Sequence, residues 1–414
     1  MEFLKKYKKI FIGFIFAVIV IILGYLLYVT FFKPSRLPAD KGRPKATSTT
    51  SSGGLPSAQT GQGLIVQPGT GLGGLTPAGG GKIQASPIAR GGLTETSGLN
   101  QSPGLGATLS ANGQDLFYYN RQDGKFYRIN RDGQSSELSG AVFHEVKKIT
   151  WSPDKNKAIL EYPDQAKIIY DFQNKKQVSL PKHWQDFDFS PDGSKMVMKS
   201  LAEAEDNRWL AVVSDQGAGA IKIAALGNNA DAVLPSWSPN NQTVAMFTEG
   251  AGFDRQNVFF VGLNNENFKA LSIEGRGFEP KWSPRGDRLL YSVYTSENGL
   301  KPELWVANAQ GENIGSGREK LGIQTWADKC AFATNAEIYC AVPQELEEGA
   351  GLFPELANNT RDNLYKIDAQ TGLKRLIAVP DGEYTMSNLI IADNGGYLYF
   401  TDANTGRINR IKLK

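Results

Sequence analysis

The side chains best suited to metal binding or redox chemistry are few. The chain of 414 residues contains two histidines, His144 and His183, and two cysteines, Cys330 and Cys340. Zinc sites in proteins draw their ligands from clusters of His and Cys at short, recognisable spacings, and neither pair belongs to such a cluster. The sequence therefore predicts no metal ion and no cofactor.

The two cysteines fall on consecutive predicted strands, with a turn near residues 334–336 between them. Opposite residues of antiparallel strands have Cβ atoms about 4.5–5.5 Å apart, which a disulfide can bridge. A Cys330–Cys340 bond would be structural, because the Cys-x-x-Cys spacing of redox enzymes is absent. Two buried thiols that never meet are the alternative.

Each histidine precedes a strand that begins a new segment of the repeat described below. An imidazole could serve as an acid or a base near neutral pH. Because His144 and His183 occupy similar places in adjacent segments, a packing or rim role is favoured over catalysis.

A short motif that sets the position of the strands recurs in the middle of the chain. Its clearest copies are Trp151-Ser152-Pro153-Asp154, Phe189-Ser190-Pro191-Asp192-Gly193, Trp237-Ser238-Pro239-Asn240 and Trp282-Ser283-Pro284-Arg285-Gly286. Proline presets the first central position of a turn, Asp or Asn suits the second, and Gly accepts the left-handed conformation that follows. Each motif predicts a turn between two antiparallel strands, so Asp154, Asp192 and the later Asp393 are interpreted as turn formers rather than general acids.

Weaker copies extend the series on both sides. Aligned on the bulky residue before each turn, the seven copies fall at positions 109, 151, 189, 237, 282, 326 and 391. A spacing of about 40–50 residues, with one larger gap, matches the four-stranded blade of a β-propeller. The predicted fold is all-β, a seven-bladed β-propeller.

The Trp/Phe-Ser-Pro-Asp-Gly turns resemble the WD40-like PD40 repeats of TolB-type propellers, which also occur in the propeller of prolyl oligopeptidases. The last repeat, residues 398–411, resembles YWTD and NHL-type blades. The resemblance covers residues 107–414 and implies a propeller, but not a function, because one fold serves many functions. TolB-type domains typically have six blades, so the count of seven departs from that family.

The last blade is short of one strand. Only 23 residues follow Ile391, which leaves room for two more strands after the first. A blade left open would expose an unpaired edge. A segment within residues 83–96, with Ile83, Ile88 and Leu93 as its apolar residues, is therefore predicted to close the last blade, and the propeller to span residues 83–414.

Residues 10–32 form an uncharged apolar run. As a helix rising about 1.5 Å per residue it would reach roughly 34 Å, enough to cross a bilayer core of about 30 Å. Bulky residues stand where a signal peptidase needs small ones, which favours an uncleaved anchor over a cleaved signal peptide. The expected partner of this segment is the lipid bilayer.

The basic residues that flank the span decide its orientation. Lysines at 5, 6, 8 and 9 favour a cytoplasmic tail of residues 1–9, although basic residues also follow the span. With the predicted disulfide, this places the propeller outside the cytoplasm of a single-pass, bacterial-type plasma membrane protein.

Residues 33–82 are dominated by Gly, Ser, Thr and Pro and show no apolar periodicity. Such a segment cannot bury enough surface to offset its ordering entropy, so a disordered, flexible linker is predicted.

One insertion is a candidate recognition loop. It lies in the large gap between the sixth and seventh repeats and carries Glu345, Glu347 and Glu348, followed by Leu352 and Phe353. Long loops on rigid scaffolds often carry recognition, with a tolerated surface insertion as the alternative. A second acidic loop, residues 202–208, is a weaker candidate.

The remaining features exclude several functions. A formal net charge of +3 supplies no strong field for nucleic acid, and no Gly-x-Ser-x-Gly elbow is present. The sequence favours a non-enzymatic binding or scaffold module for a protein or a cell-envelope component. The alternative is a propeller hydrolase of the NHL/lactonase or glycosidase kind, which would need convergent carboxylates in the central channel.

Overall fold

A computed structural model describes residues 84–264, 266–392 and 395–414, together with residue 23. The chain divides into two units, Met1–Pro77 and Ala78–Lys414, and the second holds all of the described residues except residue 23. The expected tail (1–9), membrane span (10–32) and linker (33–82) lie outside the described residues, apart from residue 23. Within the described residues, no helix has both the length and the apolar character needed to cross a bilayer.

Seven β-sheets follow one another along the second unit, and each forms one blade of a propeller. Blade 1 consists of Gly104–Leu109, Leu116–Asn120, Lys125–Ile129 and Ser135–Glu137. Blade 2 consists of Lys148–Trp151, Lys157–Glu161, Lys167–Asp171 and Lys176–Leu180. Blade 3 consists of Trp184–Phe189, Lys195–Leu201, Arg208–Ser214 and Ile221–Ala225.

Blades 4 to 7 repeat this antiparallel arrangement. Blade 4 consists of Val233–Pro235, Ala245–Gly252, Arg255–Val261 and Leu271–Glu274. Blade 5 consists of Arg276–Trp282, Arg288–Tyr294, Glu303–Asn308 and Glu319–Lys320. Blade 6 consists of Cys330–Phe332, Glu337–Pro343, Asp362–Asp368 and Lys374–Pro380. Blade 7 contains Met386–Ala392, Tyr397–Asp402 and Ile408–Lys412.

Helical structure in 84–264, 266–392 and 395–414 is confined to short 3-10 turns. Those whose residues are all described are Glu205–Asn207, Ala230–Ala232, Gly311–Asn313, Ala327–Lys329 and Pro354–Ala357.

The Ser-Pro turns join the first strand of a blade to the second. In blade 3 the Gly193 amide donates to the Ser190 carbonyl at 2.8 Å, and Gly193 has a φ of 71°. The Ser190 hydroxyl also donates to the Asp192 carboxylate, so a side-chain hydrogen bond links the first and third residues of the turn. This is the hydrogen bonding of a type I turn followed by a left-handed residue, which keeps the two strands in register.

The cores lie between blades rather than inside them. The seven large buried apolar clusters each draw on two adjacent blades, for example Ile159 and Ile169 of blade 2 with Met196 and Met198 of blade 3. Another cluster joins blades 6 and 7, and a further one joins blade 7 to blade 1. Because every blade buries both of its faces against neighbours, the seven blades form a closed ring.

Residues 97–98 supply the fourth strand of blade 7. Ser97–Gly98 pairs with Ile408–Lys412, with Ser97 opposite Arg410 and Gly98 opposite Asn409. The range proposed from the sequence, 83–96, therefore ends just short of the strand. Its apolar residue Leu93 belongs instead to Leu93–Thr94, which pairs in parallel with the outermost strand of blade 6. The apolar pattern did not mark the closing strand, because Ser97–Gly98 contains no apolar side chain larger than a hydrogen atom.

The alignment on Trp326 was wrong for blade 6. Trp326 does not end the first strand but precedes the 3-10 turn Ala327–Lys329, which leads into Cys330–Phe332. The strand-joining turn follows Phe332, and its Asn335 side chain donates to Asp287 in the corresponding turn of blade 5. Residues Trp326 to Lys329 resemble the motif in sequence, but they form a 3-10 turn in which Lys329 is buried and paired with Asp362.

Cys330 and Cys340 lie directly opposite each other on the first two strands of blade 6. Both side chains are fully buried, and their sulfur atoms are joined in a disulfide.

Candidate functional site

The propeller has two distinct faces. The Ser-Pro turns lie on one of them, here called the turn face. In each antiparallel blade the connection between the second and third strands must lie at the opposite end. We call that end the loop face, and its connections include residues 202–207, 253–254, 295–302 and 344–361.

The candidate recognition loop is the longest element of the loop face. The amides of Gly349 and Gly351 donate to the carbonyls of Gly299 and Leu300 in blade 5, at 2.8 and 2.7 Å. A Cβ atom at Gly351 would lie 2.6 Å from the Leu300 oxygen, so this approach requires glycine. The loop is therefore docked on blade 5 by its backbone.

A small cluster of buried apolar side chains supports the base of the loop. Ala350 and Ala357 are buried against Trp326, with Leu346 packed beside them. The sequence pattern predicted an acidic, apolar loop, and the structure adds that its base is packed like part of the domain.

The upper side of the loop exposes large apolar side chains. Leu352, Phe353 and Leu356 are 46%, 52% and 40% exposed, and Phe253 in the neighbouring hairpin of blade 4 is 76% exposed. The loops that carry them are linked, because the Ser296 amide of the blade 5 loop donates to Asp254 at 3.1 Å. We call Phe253, Leu352, Phe353 and Leu356 the apolar ridge.

Acidic side chains accompany the apolar ridge. Glu345, Glu347 and Glu348 are exposed on the same insertion. The second candidate loop, residues 202–208, is tied back on itself, since Arg208 donates to the carbonyls of Ala202 and Glu203. It is exposed and presents no large apolar side chain.

A cavity of about 180 Å³ lies beside the base of the insertion, between blades 5, 6 and 7. Its walls are formed by Glu279, Trp326, Asp328, Lys329, Pro354, Ala357, Asn358, Thr385, Met386, Ser387 and Ala403. The sequence did not reveal this site, because its residues come from separate blades. The one local signal is Gly277, since a glycine inside a strand often marks a bulge.

Glu279 reaches the cavity from the first strand of blade 5. That strand carries a β-bulge between Arg276 and Glu279, where Gly277 has a φ of 66°. The Ser292 hydroxyl donates to Glu279 Oε2 at 3.1 Å. Burial, together with repulsion from the Asp328 carboxylate, raises the pKa of Glu279 to about 7. Bulges redirect side chains in this way next to functional sites.

A buried ion pair forms another wall of the cavity. Lys329 Nζ donates to both oxygens of Asp362, at 2.8 and 2.7 Å, and the Met386 amide of blade 7 donates to Asp362 Oδ2 at 2.6 Å. Burial raises the pKa of Asp362 to about 6, although Lys329 favours the charged form. The charges of this pair compensate each other inside the protein.

The remaining local cation is Lys281, whose Nζ donates to the Cys330 carbonyl. Burial lowers its pKa, against the attraction of Asp328 and Glu279. One cation therefore faces two carboxylates, and the cavity retains an excess of negative charge when Glu279 is ionised.

The mouth of the central channel on the turn face has a different character. A cavity of about 580 Å³ there is lined mainly by apolar and small polar residues of six blades, including Leu109, Pro239, Trp282, Phe332 and Ile390. Lys155 and Lys281 are its charged members, and no carboxylate belongs to its described lining. Within 84–264, 266–392 and 395–414, no three His, Cys, Asp or Glu side chains could jointly hold a metal ion.

The other residues singled out in the sequence lie apart from the loop-face cavity. His144 lines a cleft of about 600 Å³ with Tyr162, Tyr170 and Lys175 between blades 1 and 2. His183 is exposed at the start of blade 3, next to Trp184. Asp154 and Asp192 hydrogen-bond to the serines of their own turns, and Asp393 lies outside the described residues.

The chain matches no protein-family model and no curated protein. It does resemble solved propeller structures. An oligogalacturonate lyase in complex with manganese superposes with a TM-score of 0.56 at 13% identity, over 77% of this chain and 93% of the lyase. The β-propeller domain of Cps50 (Swd1) from Myceliophteria thermophila superposes with a TM-score of 0.51 at 12% identity, over 77% of this chain and 100% of that domain.

TolB from Acinetobacter baumannii superposes with a TM-score of 0.42 at 14% identity, over 67% of this chain and 63% of TolB. That score is too low to support an argument. The two stronger matches, an enzyme and the propeller domain of Cps50, agree with the β-propeller fold that the seven sheets of this chain define. At 12% and 13% identity they show the fold alone, and the activity has to be argued from the residues of this chain's own surface. The resemblance of the last blade to YWTD and NHL blades stays a prediction.

Proposed function

We propose that this protein is a membrane-anchored, extracytoplasmic propeller that binds a protein or cell-envelope partner through its loop face, without catalysing a reaction. The observation that carries the proposal is the apolar ridge. Leu352 and Phe353 are exposed on a loop whose base is packed and whose backbone is hydrogen-bonded to blade 5. Exposed apolar side chains on a rigid support mark interaction sites, because ordering them on binding costs little entropy.

The proposed anchor and linker complete this interpretation. A span at residues 10–32 would fix the chain in the bilayer, and residues 33–82 would give the propeller reach around that point. The disulfide supports an extracytoplasmic position, since such bonds persist in oxidising compartments. Protease protection of a C-terminal tag in intact cells tests the orientation; a tag that is digested only after the membrane is opened contradicts it.

Capture of the partner tests the function. Proximity labelling by the full-length protein in its native cell should recover one envelope-associated partner above background. The double substitution Leu352→Ser with Phe353→Ser should abolish that recovery. Leu373→Ser is the matched control, because Leu373 is 73% exposed on the turn face. Equal recovery with both variants, or no envelope protein above background, would contradict the proposal.

Catalysis by a hydrolase has one observation in its favour. Glu279 has a pKa near 7 beside a second carboxylate, and a carboxylic acid of that kind can act as a general acid. A lactone or glycoside hydrolysis assay that shows turnover by the wild type, and loss of it in Glu279→Gln, would establish the enzyme and displace the binding proposal.

A further inference from the structure

We infer that the loop-face cavity receives one basic side chain of the partner and holds its cationic group between Glu279 and Asp328. This inference rests on the proposed function, because it names the chemistry by which the same face selects its partner.

The lining suits a long side chain with a charged end. Trp326, Pro354, Ala357 and Met386 provide apolar walls, while the carboxylates and Asn358, Thr385 and Ser387 provide polar groups. Lysine and arginine have apolar stems that bury against such walls while the charged group reaches polar partners. A cavity of about 180 Å³ admits one side chain rather than a folded segment or a polysaccharide.

Hydrogen-bonding capacity is available in the cavity. Glu279 Oε2 accepts from Ser292, and no described residue donates to its other oxygen, Oε1. Asp328 is exposed and lies close enough to raise the pKa of Glu279. Two carboxylates held together without enough compensating charge repel each other, and an ammonium or guanidinium group between them relieves that repulsion.

The charged residues around the cavity also favour a positively charged ligand. Lys329 is paired with Asp362, and Lys281, which donates to the Cys330 carbonyl, is one cation against the two carboxylates of Glu279 and Asp328. The insertion, which contributes Pro354, Ala357 and Asn358 to the cavity wall, also carries the exposed side chains of Glu345, Glu347, Glu348 and Glu355. A surface of this charge steers a basic partner towards the cavity and disfavours an acidic one.

The ionisation of Glu279 couples binding to pH. The groups that face it are Asp328, Lys281 and the Ser292 hydroxyl. A cationic ligand binds the ionised form of Glu279, and the fraction ionised rises about tenfold between about pH 6 and pH 8 for a group that titrates near 7. The affinity for a basic side chain should rise by about the same factor.

Calorimetric titration of the detergent-solubilised full-length protein tests the inference. The probes are the blocked tripeptides acetyl-Gly-Lys-Gly-amide and acetyl-Gly-Arg-Gly-amide, with acetyl-Gly-Gln-Gly-amide as the neutral control. At least one basic peptide should bind, about tenfold more tightly at about pH 8 than at about pH 6. Glu279→Gln should remove the pH dependence and weaken binding at least tenfold, whereas Glu312→Gln, which changes an exposed carboxylate on the turn face, should bind like the wild type.

The possible failures can be told apart. Equal binding of the basic and glutamine peptides, or wild-type binding by Glu279→Gln, would overturn the inference. Calcium or magnesium binding that Glu279→Gln abolishes, without peptide binding, would assign the cavity to a metal cation and also overturn it. If the native partner is lost with the Leu352 and Phe353 variant but retained by Glu279→Gln, the inference fails while the proposed function stands.

Discussion

Lys329 donates to both carboxylate oxygens of Asp362, and the two side chains are 10% and 0% exposed. Lys329 stands in the 3-10 turn before the first strand of blade 6, and Asp362 begins the third strand of the same blade. The Met386 amide adds blade 7 to the pair. The interaction therefore ties blade 6 to blade 7 beside the loop-face cavity.

Removing one partner of this pair should destabilise the propeller strongly. Asp362→Ala leaves the Lys329 ammonium buried without compensation and should lower the free energy of unfolding by about 3–5 kcal/mol. Lys329→Met combined with Asp362→Leu removes both charges and should recover most of that loss. Urea unfolding followed by tryptophan fluorescence measures both variants. A single variant within about 1 kcal/mol of the wild type would show that the pair is solvated.

The pKa of Glu279 predicts a pH dependence of stability. Its folded value of about 7 lies above the ordinary value of 4.5, so the folded state binds a proton more tightly than the unfolded state. The stability that comes from this proton is full below about pH 4.5 and is lost as the pH rises through about 7. Glu279→Gln should therefore match the wild type near pH 4 and exceed it by roughly 2 kcal/mol near pH 8. Unfolding curves at both pH values test this, with Glu312→Gln as control; equal stability of Glu279→Gln and wild type at pH 8 would refute the assignment.

Two glycines of the Ser-Pro turns should differ in their tolerance of alanine. Gly193 and Gly286 have nearly the same φ, 71° and 70°, but a Cβ at Gly193 meets only Pro153 Cδ at 3.5 Å, whereas a Cβ at Gly286 would lie 2.7 Å from the Asn240 amide nitrogen. Gly193→Ala should cost about 1–2 kcal/mol, the price of a left-handed residue with a side chain. Gly286→Ala should cost clearly more, because the turns of blades 4 and 5 must separate. Thermal unfolding of the two variants side by side gives the comparison, and equal losses would contradict it.

The disulfide should contribute measurably to stability. Cys330 and Cys340 close a loop with a sequence separation of 10 residues, for which the chain-entropy model gives about 3 kcal/mol. Reducing agent should lower the unfolding free energy of the wild type by about that amount and leave the double variant Cys330→Ala, Cys340→Ala unchanged. Mass spectrometry of unreduced peptides from the native cell checks the bond directly. Alkylation of both cysteines without prior reduction would show that they are thiols there.

The sequence patterns that predicted the fold best were those with local causes. Proline and glycine restrict the backbone whatever surrounds them, so Pro191 and Gly193 mark a turn by themselves. The closing strand Ser97–Gly98 has two residues and no apolar alternation, and its place is decided by the free edge that the last blade offers it. Local patterns cannot reveal a strand whose cause lies more than three hundred residues away.

The residues of the loop-face cavity show the same difference between features with a local cause and features that depend on tertiary packing. The insertion with Leu352 and Phe353 stood out in the sequence because its length and composition differ from those of the repeats. Glu279, Asp328 and Asp362 did not, since each resembles the charged residues found throughout blade surfaces. What distinguishes Glu279 is its burial beside Asp328, and burial results from the packing of blades 5 to 7 around it.

The way in which the ring closes also has a mechanical consequence. Leu93–Thr94 and Ser97–Gly98 attach the beginning of the described propeller to the outer edges of blades 6 and 7. Further backbone hydrogen bonds, from Ala89 to Lys412 and from Val379 to Gly92, lie upstream of the closing strand. A pulling force applied at residue 84 would therefore be shared between two blades. It would have to break the hydrogen bonds of residues 89–98 one after another before it could act on the ring itself.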